Sequence, residues 1–228
     1  MSYYEQKDQW HSLLILGGVA LTLRDGHLYW VVGAGVLAFG LMFYGESQRK
    51  EPGTRYLNSA NMMTGGRLLV LLVSTLLYDM LGPILYGVIA SAVAISDAVD
   101  GYLARKYNTT SRFGAAFDME TDALFVSILS LIAYQVYDAS WLVLLAGQMR
   151  YLFVWILKWT RLDRTSPPRL RGSQAVAVIF FVVLLTPFFF AFDFVQILLV
   201  IGSLLICISF LAELIFRWSA SKKGPHIG

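Results

Sequence analysis

The chain has 228 residues, of which 57% are hydrophobic and only 14% are charged, and its formal net charge is +3. Soluble domains carry roughly 25% charged residues, so this composition excludes an ordinary soluble domain and predicts a polytopic, all-α membrane protein. The single cysteine, Cys207, excludes an internal disulfide and a cysteine-ligated metal site.

Two apolar runs stand near the N-terminus, Ser12–Leu23 and Leu28–Tyr44, and the short turn Arg24–His27 separates them. We predict that residues 1–46 form a tight helical hairpin that crosses the membrane twice. The first run is short for a span, which needs about 20 residues, so a pair of interfacial or re-entrant helices is the alternative. No signal peptide is expected, because Met1–His11 is polar and includes acidic residues.

A polar segment over residues 47–60 contains Pro52 and Gly53 and marks the clearest internal boundary, as a loop or a surface-lying helix. Six more helices are expected over residues 61–218, and a short tail over residues 219–228. The predicted helices are Asn61–Tyr78, Leu81–Lys106, Arg112–Val136, Ser140–Thr160, Gly172–Ala191 and Phe194–Trp218. With the hairpin, these make eight crossings. A turn at Asn108–Ser111 and a basic loop at Arg161–Arg171 connect two of the helix pairs.

The positions of lysine and arginine predict the topology. Sixteen of the 18 basic residues fall in alternate connections or at the termini, whereas the opposite connections hold only Arg24, and Arg150 lies inside a helix. Cytoplasmic connections carry the excess of Lys and Arg. Both termini and the turn after residue 107 are therefore expected on the cytoplasmic side, in what we expect to be a prokaryotic inner membrane.

Five carboxylates lie in the stretch Ser96–Asp122. Asp97 and Asp100 are three residues apart, and Asp118 and Asp122 are four apart, so each pair lies on one helix face. Glu120 is two residues from its acidic neighbours and points elsewhere. Carboxylates in a membrane-spanning segment are costly and usually mark function.

Four unpaired carboxylates inside membrane-spanning helices would not all stay ionised, whereas two divalent cations would balance their charge. Oxygen ligands favour Mg²⁺ or Mn²⁺. No histidine is near in sequence, so a zinc site is not expected. Hard cations facing the cytoplasm suggest phosphate chemistry, in which Arg105 could hold a phosphate oxygen and Gly101 and Gly114 would allow close approach.

The pattern Asp97-x-x-Asp100-Gly101-x-x-Ala104-Arg105, then eight residues, then Gly114-x-x-x-Asp118-x-x-x-Asp122 fills every position of a family signature. It resembles that of the CDP-alcohol phosphotransferases, also called CDP-alcohol phosphatidyltransferases. The upstream pattern Asn61-x-x-Thr64-x-x-Arg67 looks like the family's entry to its first core helix. The resemblance implies a six-helix catalytic core over residues 61–218, preceded by the hairpin, for which the family suggests no function.

By this resemblance, Asp97, Asp100 and Asp118 would be metal ligands. Asp122 would bind the second metal, act as general base on the acceptor hydroxyl, or do both. The resemblance also implies a set of positions that line the CDP site: Asn61, Thr64, Gly101, Ala104, Arg105 and Gly114.

The family transfers a phosphoalcohol group from a CDP-linked donor, commonly CDP-diacylglycerol, and releases CMP. Transfer from CDP-choline or CDP-ethanolamine to a lipid alcohol is the alternative. Membrane lipids and a second copy of the chain, in a homodimer, are the other expected partners, and no nucleic acid is expected to bind.

Three basic residues could bind a phosphorylated acceptor if they face the cavity: Arg150, Arg169 and Arg171. An arginine inside a membrane helix needs a partner, which favours a functional reading of Arg150. Arg169 and Arg171 could equally belong to the general excess of basic residues in cytoplasmic connections. Glu213 and Arg217, four residues apart, are expected to form a structural ion pair.

Two other classes of membrane protein also place carboxylates inside the membrane. Intramembrane prenyltransferases also use aspartate-rich metal sites, but their two motifs lie far apart in sequence, whereas here both sets flank one short turn. A cation transporter with carboxylates at mid-membrane would give no reason for Gly101, Ala104, Arg105 and Gly114 to accompany them.

Overall fold

A computed structural model describes residues 3–48, 59–107, 112–160, 171–190 and 193–222, and it describes side chains over 9–48, 61–97, 113–160, 175–190 and 193–219. Eight α-helices and one short 3₁₀ helix make up nearly all of the described chain. The α-helices are α1 (Tyr3–Asp25), α2 (Tyr29–Ser47), α3 (Ser59–Leu76), α4 (Tyr78–Tyr107), α5 (Arg112–Val136), α6 (Trp141–Trp159), α7 (Arg171–Leu185) and α8 (Asp193–Lys222). The all-α prediction is confirmed.

Four helices of the described chain are long and apolar enough to cross a membrane. These segments are Tyr29–Ser47, Tyr78–Asp97, Trp141–Trp159 and Asp193–Ser219, and Asn61–Leu76 and Ala175–Phe188 are shorter apolar helices. The chain is therefore a polytopic membrane protein. The count of eight crossings stays a prediction.

The chain forms two compact units, Met1–Ile128 and Leu129–Gly228, and α5 runs through the boundary between them. In the first unit, α2 packs closely on the helices that follow it. A Cβ atom at Gly35 would lie 3.1 Å from Leu124 Cδ2 and 3.2 Å from Leu72 Cδ2, so the missing side chain permits this close approach. The hairpin thus shares a core with α3 and α5.

The turn between α1 and α2 contains a glycine that caps the C-terminus of α1. Gly26 adopts φ +77°, a conformation that glycine reaches without steric cost, and its N–H donates to the carbonyl of Thr22 at 2.8 Å. The buried Thr22 hydroxyl in turn accepts a hydrogen bond from the N–H of Val31 at 3.2 Å. The tight hairpin predicted for this segment is therefore present.

In the second unit, α8 packs against both α6 and α7. The rings of Phe153 and Phe210 meet edge to face at 5.3 Å between centroids. A Cβ atom at Gly202 would lie 3.2 Å from the ring of Phe180, so α7 and α8 also approach closely. The ion pair predicted on α8 is confirmed, with the Arg217 Nη2 donating to Glu213 Oε1 at 2.7 Å.

Several helix ends differ from the predicted ones. α1 begins at Tyr3 rather than Ser12, and the polar residues Gln9 and His11, which precede the predicted start, are buried. α7 ends at Leu185 and passes into a 3₁₀ turn around Pro187, which lacks the N–H that a continuing α-helix requires. α8 continues to Lys222, beyond the predicted end.

The start of α4 also differs from the prediction. The helix begins at Tyr78 but is interrupted at Gly82, where φ is 71° and ψ is 168°. Pro83 follows and is tolerated there because the regular helix begins anew. The predicted start at Leu81 therefore lies next to the interruption. The predicted turn Asn108–Ser111, the basic loop before Arg171 and most of the polar segment lie outside the described residues.

Substituting Gly18 by alanine should destabilise the hairpin, because the new Cβ would lie 2.5 Å from Ala34 Cβ and 3.0 Å from the Trp30 carbonyl oxygen. Overpacking of this kind costs roughly 1–3 kcal/mol, so the thermal unfolding midpoint in detergent should fall. Gly17→Ala is the matched control, since a Cβ there meets nothing within 4 Å and alanine is the better helix former. Equal midpoints for the two variants would contradict the close packing of α1 and α2.

Candidate functional site

Carboxylates from two helices meet in the first unit. Asp97 lies on α4, and Asp118 and Asp122 lie on α5. One carboxylate oxygen from each lies within 4.8 Å of the other two. The helical spacing within each motif and the convergence of the two motifs thus bring three of the four predicted ligands together. We call these three residues the carboxylate cluster.

The donor set of the carboxylate cluster suits a hard divalent cation. It consists of oxygen atoms alone, which Mg²⁺ and Mn²⁺ prefer. Asp97 and Asp118 retain 33% and 43% of their side-chain exposure, and Asp122 is exposed, so a water molecule or substrate oxygen can complete a coordination sphere. The cluster therefore fits the metal that the sequence predicts. Asp100 lies one turn after Asp97 on α4, where side chains are outside the described set.

A buried arginine from α3 contacts this cluster. Arg67 is 8% exposed, its Nη1 pairs with Asp97 Oδ1, and its Nη2 donates to Asp118 Oδ1 at 2.7 Å. One guanidinium therefore bridges carboxylates from α4 and α5. One positive charge of the chain itself therefore compensates part of the negative charge of the cluster.

Thr64 stands one turn before Arg67 and joins the same network. Its hydroxyl accepts from Arg67 Nη2 at 3.1 Å and lies 3.5 Å from Asp118 Oδ1, to which it can donate. Asn61 is buried one turn earlier on the same face of α3, at 4% exposure. Thr64 and Arg67 of the upstream pattern thus contact the carboxylate cluster.

Sequence reasoning missed Arg67 as a site residue, because it was counted among the positive-inside charges. A signal was present in the sequence. Asn61, Thr64 and Arg67 recur every third residue, which places three polar side chains along one side of a helix that is otherwise apolar.

For most of the remaining predicted site residues, the structure describes the helix on which they lie but not their side chains. Gly114 lies in the first turn of α5, and Gly101, Ala104 and Arg105 lie on the last turns of α4, where side chains are outside the described set. Arg150 lies half-buried on α6, in the second unit.

Of the two other arginines proposed for the acceptor, Arg171 is the first residue of α7, with its side chain outside the described set, and Arg169 lies outside the described residues. Their role as acceptor ligands stays a prediction.

Comparison with known proteins identifies relatives over part of the chain. The "CDP-diacylglycerol--glycerol-3-phosphate 3-phosphatidyltransferase" of Salmonella choleraesuis (strain SC-B67) is 36% identical over 67 residues, which cover 29% of this chain and 37% of the relative. Proteins of the same name from Pectobacterium atrosepticum and Escherichia coli (strain K12) are 34% identical over 67 residues, with the same coverage. The matched stretch thus spans just over a third of these relatives' length. No solved structure gives a significant match.

A family-level match is more extensive. Residues 57–212 match the family described as CDP-alcohol phosphatidyltransferase, which is well over half of the 228-residue chain. This range contains Asn61, Thr64, Arg67 and the whole carboxylate cluster, and the N-terminal hairpin precedes it. The chain belongs to the CDP-alcohol phosphatidyltransferase family.

Proposed function

We propose that the chain transfers the phosphatidyl group of CDP-diacylglycerol to the hydroxyl group of a small polar acceptor and releases CMP. The observation that carries this proposal is the carboxylate cluster, whose oxygens lie within 4.8 Å of one another inside the matched family range. The names of the relatives specify CDP-diacylglycerol and glycerol 3-phosphate as their substrates. Their partial coverage makes the donor and the acceptor part of the proposal.

Two Mg²⁺ or Mn²⁺ ions would be held by Asp97, Asp100, Asp118 and Asp122. When bound, such cations neutralise phosphoryl oxygens and stabilise the charge that develops on the departing CMP. Clustered, partly exposed carboxylates with oxygen donors alone support this assignment. Arg67 would keep Asp97 and Asp118 oriented from the buried side of the cluster.

Asp122 is the most exposed member of the cluster, and Asp97 and Asp118 are the members that contact Arg67, which favours Asp122 as the residue that receives the acceptor proton. In the proposed step its carboxylate accepts the proton of the acceptor hydroxyl. The hydroxyl oxygen forms a bond to the β-phosphorus of the donor, the bond from that phosphorus to the CMP oxygen breaks, and CMP leaves with the electron pair. The proton then passes from Asp122 to water. Asn61, Thr64, Gly101, Ala104, Arg105 and Gly114 would line the CDP site.

The charge asymmetry of the connections supports a cytoplasmic position for both termini and for the carboxylate cluster, in a bacterial inner membrane. We also propose a homodimer as the assembly. Labelling of single cysteines in a Cys207→Ser background would test the topology, and mass measurement in detergent would test the assembly. Labelling of both termini from the periplasm would overturn the proposed orientation.

The transferase proposal is tested with the purified full chain, Mg²⁺ or Mn²⁺, a CDP-linked donor and a panel of acceptors. CDP-diacylglycerol should release CMP and yield a phospholipid with one acceptor among glycerol 3-phosphate, serine, inositol, inositol phosphate and choline. Product from CDP-choline or CDP-ethanolamine and a lipid alcohol, with none from CDP-diacylglycerol, would replace the proposed donor. Metal-independent activity, or no CMP release from either donor class, would overturn the proposal.

Arg150→Ala should raise the KM for a phosphorylated acceptor about tenfold or more, because a charged hydrogen bond to phosphate contributes roughly 1.5–3 kcal/mol. The KM for the CDP-linked donor should change little. Lys158→Ala is the matched control, since Lys158 lies on the same helix with its ammonium 4.7 Å from the centre of the Trp155 ring. An unchanged acceptor KM in Arg150→Ala would assign Arg150 a structural role.

A further inference from the structure

The N-terminal hairpin precedes the matched range 57–212, yet it makes a buried polar contact with the helix that carries Asp118 and Asp122. His11 Nδ1 of α1 lies 3.3 Å from Glu120 Oε2 of α5, and both side chains are buried, at 5% and 7% exposure. A polar group removed from water requires a polar partner, so this pairing favours one relative placement of α1 and α5.

Aromatic packing surrounds this contact. The His11 ring meets Phe39 of α2 edge to face at 4.8 Å, and Phe39 meets Phe117 of α5 at 5.6 Å. Phe43, one turn further along α2, lies 4.9 Å from Phe117 and 5.4 Å from Phe113. Both helices of the hairpin therefore take part in the contact with α5.

The surface of α5 that faces the hairpin lies opposite the surface that carries the two aspartates. At about 100° per residue, Glu120 lies roughly 200° around the helix from Asp118. Phe113 and Leu124 fall within about 40° of Glu120 on the same count, and Leu124 is the residue that Gly35 of α2 accommodates. Asp122 lies only about 40° from Asp118. The hairpin thus contacts the side of α5 that lies opposite the carboxylate cluster.

We propose that the N-terminal hairpin braces α5, and that His11 and Glu120 are positioning residues which set the rotation of α5 and so the placement of Asp118 and Asp122. This inference rests on the proposed function for its catalytic consequence. A rotation of about 20° would displace an atom roughly 5–6 Å from the helix axis by about 2 Å. Displacements of about 1 Å can lower catalytic rates about 100-fold, so the rotation of α5 matters.

The contact between His11 and Glu120 favours one rotation of α5, which the aromatic packing alone does not. Apolar contacts are non-directional, and an aromatic surface can slide without losing much buried area. A buried polar or ionic pair penalises alternative registers, because rotation would break the contact between the two buried groups. His11 and Glu120 therefore select one rotation of α5 among those that the rings would allow.

The test uses the purified full chain and four variants: His11→Ala, Glu120→Gln, the double variant and Ser12→Ala. Ser12→Ala is the matched control, because the buried Ser12 hydroxyl donates to the Gln9 carbonyl at 3.0 Å, within α1 itself. Mn²⁺ affinity is measured directly by electron paramagnetic resonance, alongside kcat, the KM of the CDP-linked donor and the unfolding midpoint. His11→Gln, which retains a side-chain donor, tests for rescue.

We expect His11→Ala and Glu120→Gln each to weaken Mn²⁺ binding and lower kcat about tenfold, with little change in the donor KM. The double variant should be no worse than either single variant, because the two residues act as one contact. His11→Gln should recover part of the loss, and Ser12→Ala should keep wild-type Mn²⁺ affinity.

Additive losses in the double variant, or unfolding midpoints that fall while Mn²⁺ affinity and kcat stay unchanged, would overturn the positioning role. If the wild-type chain binds Mn²⁺ and the variants show the expected Mn²⁺ affinities, but no CMP is released, the proposed function is overturned and the positioning role of the hairpin is supported. A wild-type chain that does not bind Mn²⁺ would overturn both.

Discussion

Replacing Asp122 by asparagine should lower kcat for phosphatidyl transfer by about 10³-fold or more, while the affinity for CDP falls less than about tenfold. A positioned general base contributes typically 10²–10⁴-fold, and the amide cannot accept the acceptor proton. The substitution also removes one anionic ligand from the carboxylate cluster, which adds to the loss. Stopped assays of CMP release and equilibrium binding of radiolabelled CDP measure the two quantities separately.

Asp122 differs from the other members of the cluster in ways that make it the residue to test. It is exposed, whereas Asp97 and Asp118 are partly buried and contact Arg67. An exposed carboxylate can reach an acceptor hydroxyl, whereas a carboxylate paired with a guanidinium loses part of a charge-assisted interaction if it takes up a proton. The division of the cluster into held and exposed carboxylates therefore favours Asp122 as the base.

Asp138→Asn provides the control for Asp122→Asn. Asp138 is an exposed carboxylate in the turn before α6, with φ 51°, a conformation that asparagine also tolerates. Its substitution should leave kcat unchanged. If Asp122→Asn retained wild-type kcat, Asp122 would not be the base, and if CDP affinity fell as far as kcat, the role of Asp122 would be confined to metal and donor binding.

Helix periodicity places Asp118 and Asp122 on one face of α5, and the short turn predicted at Asn108–Ser111 makes α4 and α5 neighbours along the chain. Together these two features predict that Asp97 approaches the pair, as the structure has it. The role of Arg67 could not be predicted in the same way. Its partner Asp97 lies on the next helix, 30 residues along the chain, and such a contact is decided by tertiary packing rather than by local pattern.

Glu120 is a second residue whose contact could not be predicted from local pattern. Its spacing indicated correctly that it does not share a face with Asp118 and Asp122. Its partner, His11, lies more than 100 residues earlier, just before the predicted start of the first apolar run at Ser12. The predicted start of α1 at Ser12 also lies too late in the chain, since α1 begins at Tyr3 and its polar residues Gln9 and His11 are buried.

Substituting Arg67 by alanine should lower the unfolding midpoint of the metal-free chain markedly and make its stabilisation by Mg²⁺ or Mn²⁺ larger than in the wild type. Truncating one partner of a buried charge pair leaves the other charges uncompensated. Because Asp97 and Asp118 keep 33% and 43% of their exposure, water offsets part of the cost, and about 2 kcal/mol is expected. We also expect kcat to fall about 10–100-fold, since Asp118 loses the donor that orients it.

The enlarged metal response follows from linkage. In the wild type, Arg67 already supplies a positive charge to Asp97 and Asp118, so a divalent cation relieves less repulsion on binding. Without the guanidinium, the same cation relieves more, and stabilisation grows with the free energy of binding to the folded state. Arg67→Lys keeps the charge but not the two-armed bridge, and should restore the metal-free midpoint while leaving kcat low. Equal metal-induced shifts in Arg67→Ala and the wild type would show that Arg67 does not compensate the carboxylate cluster.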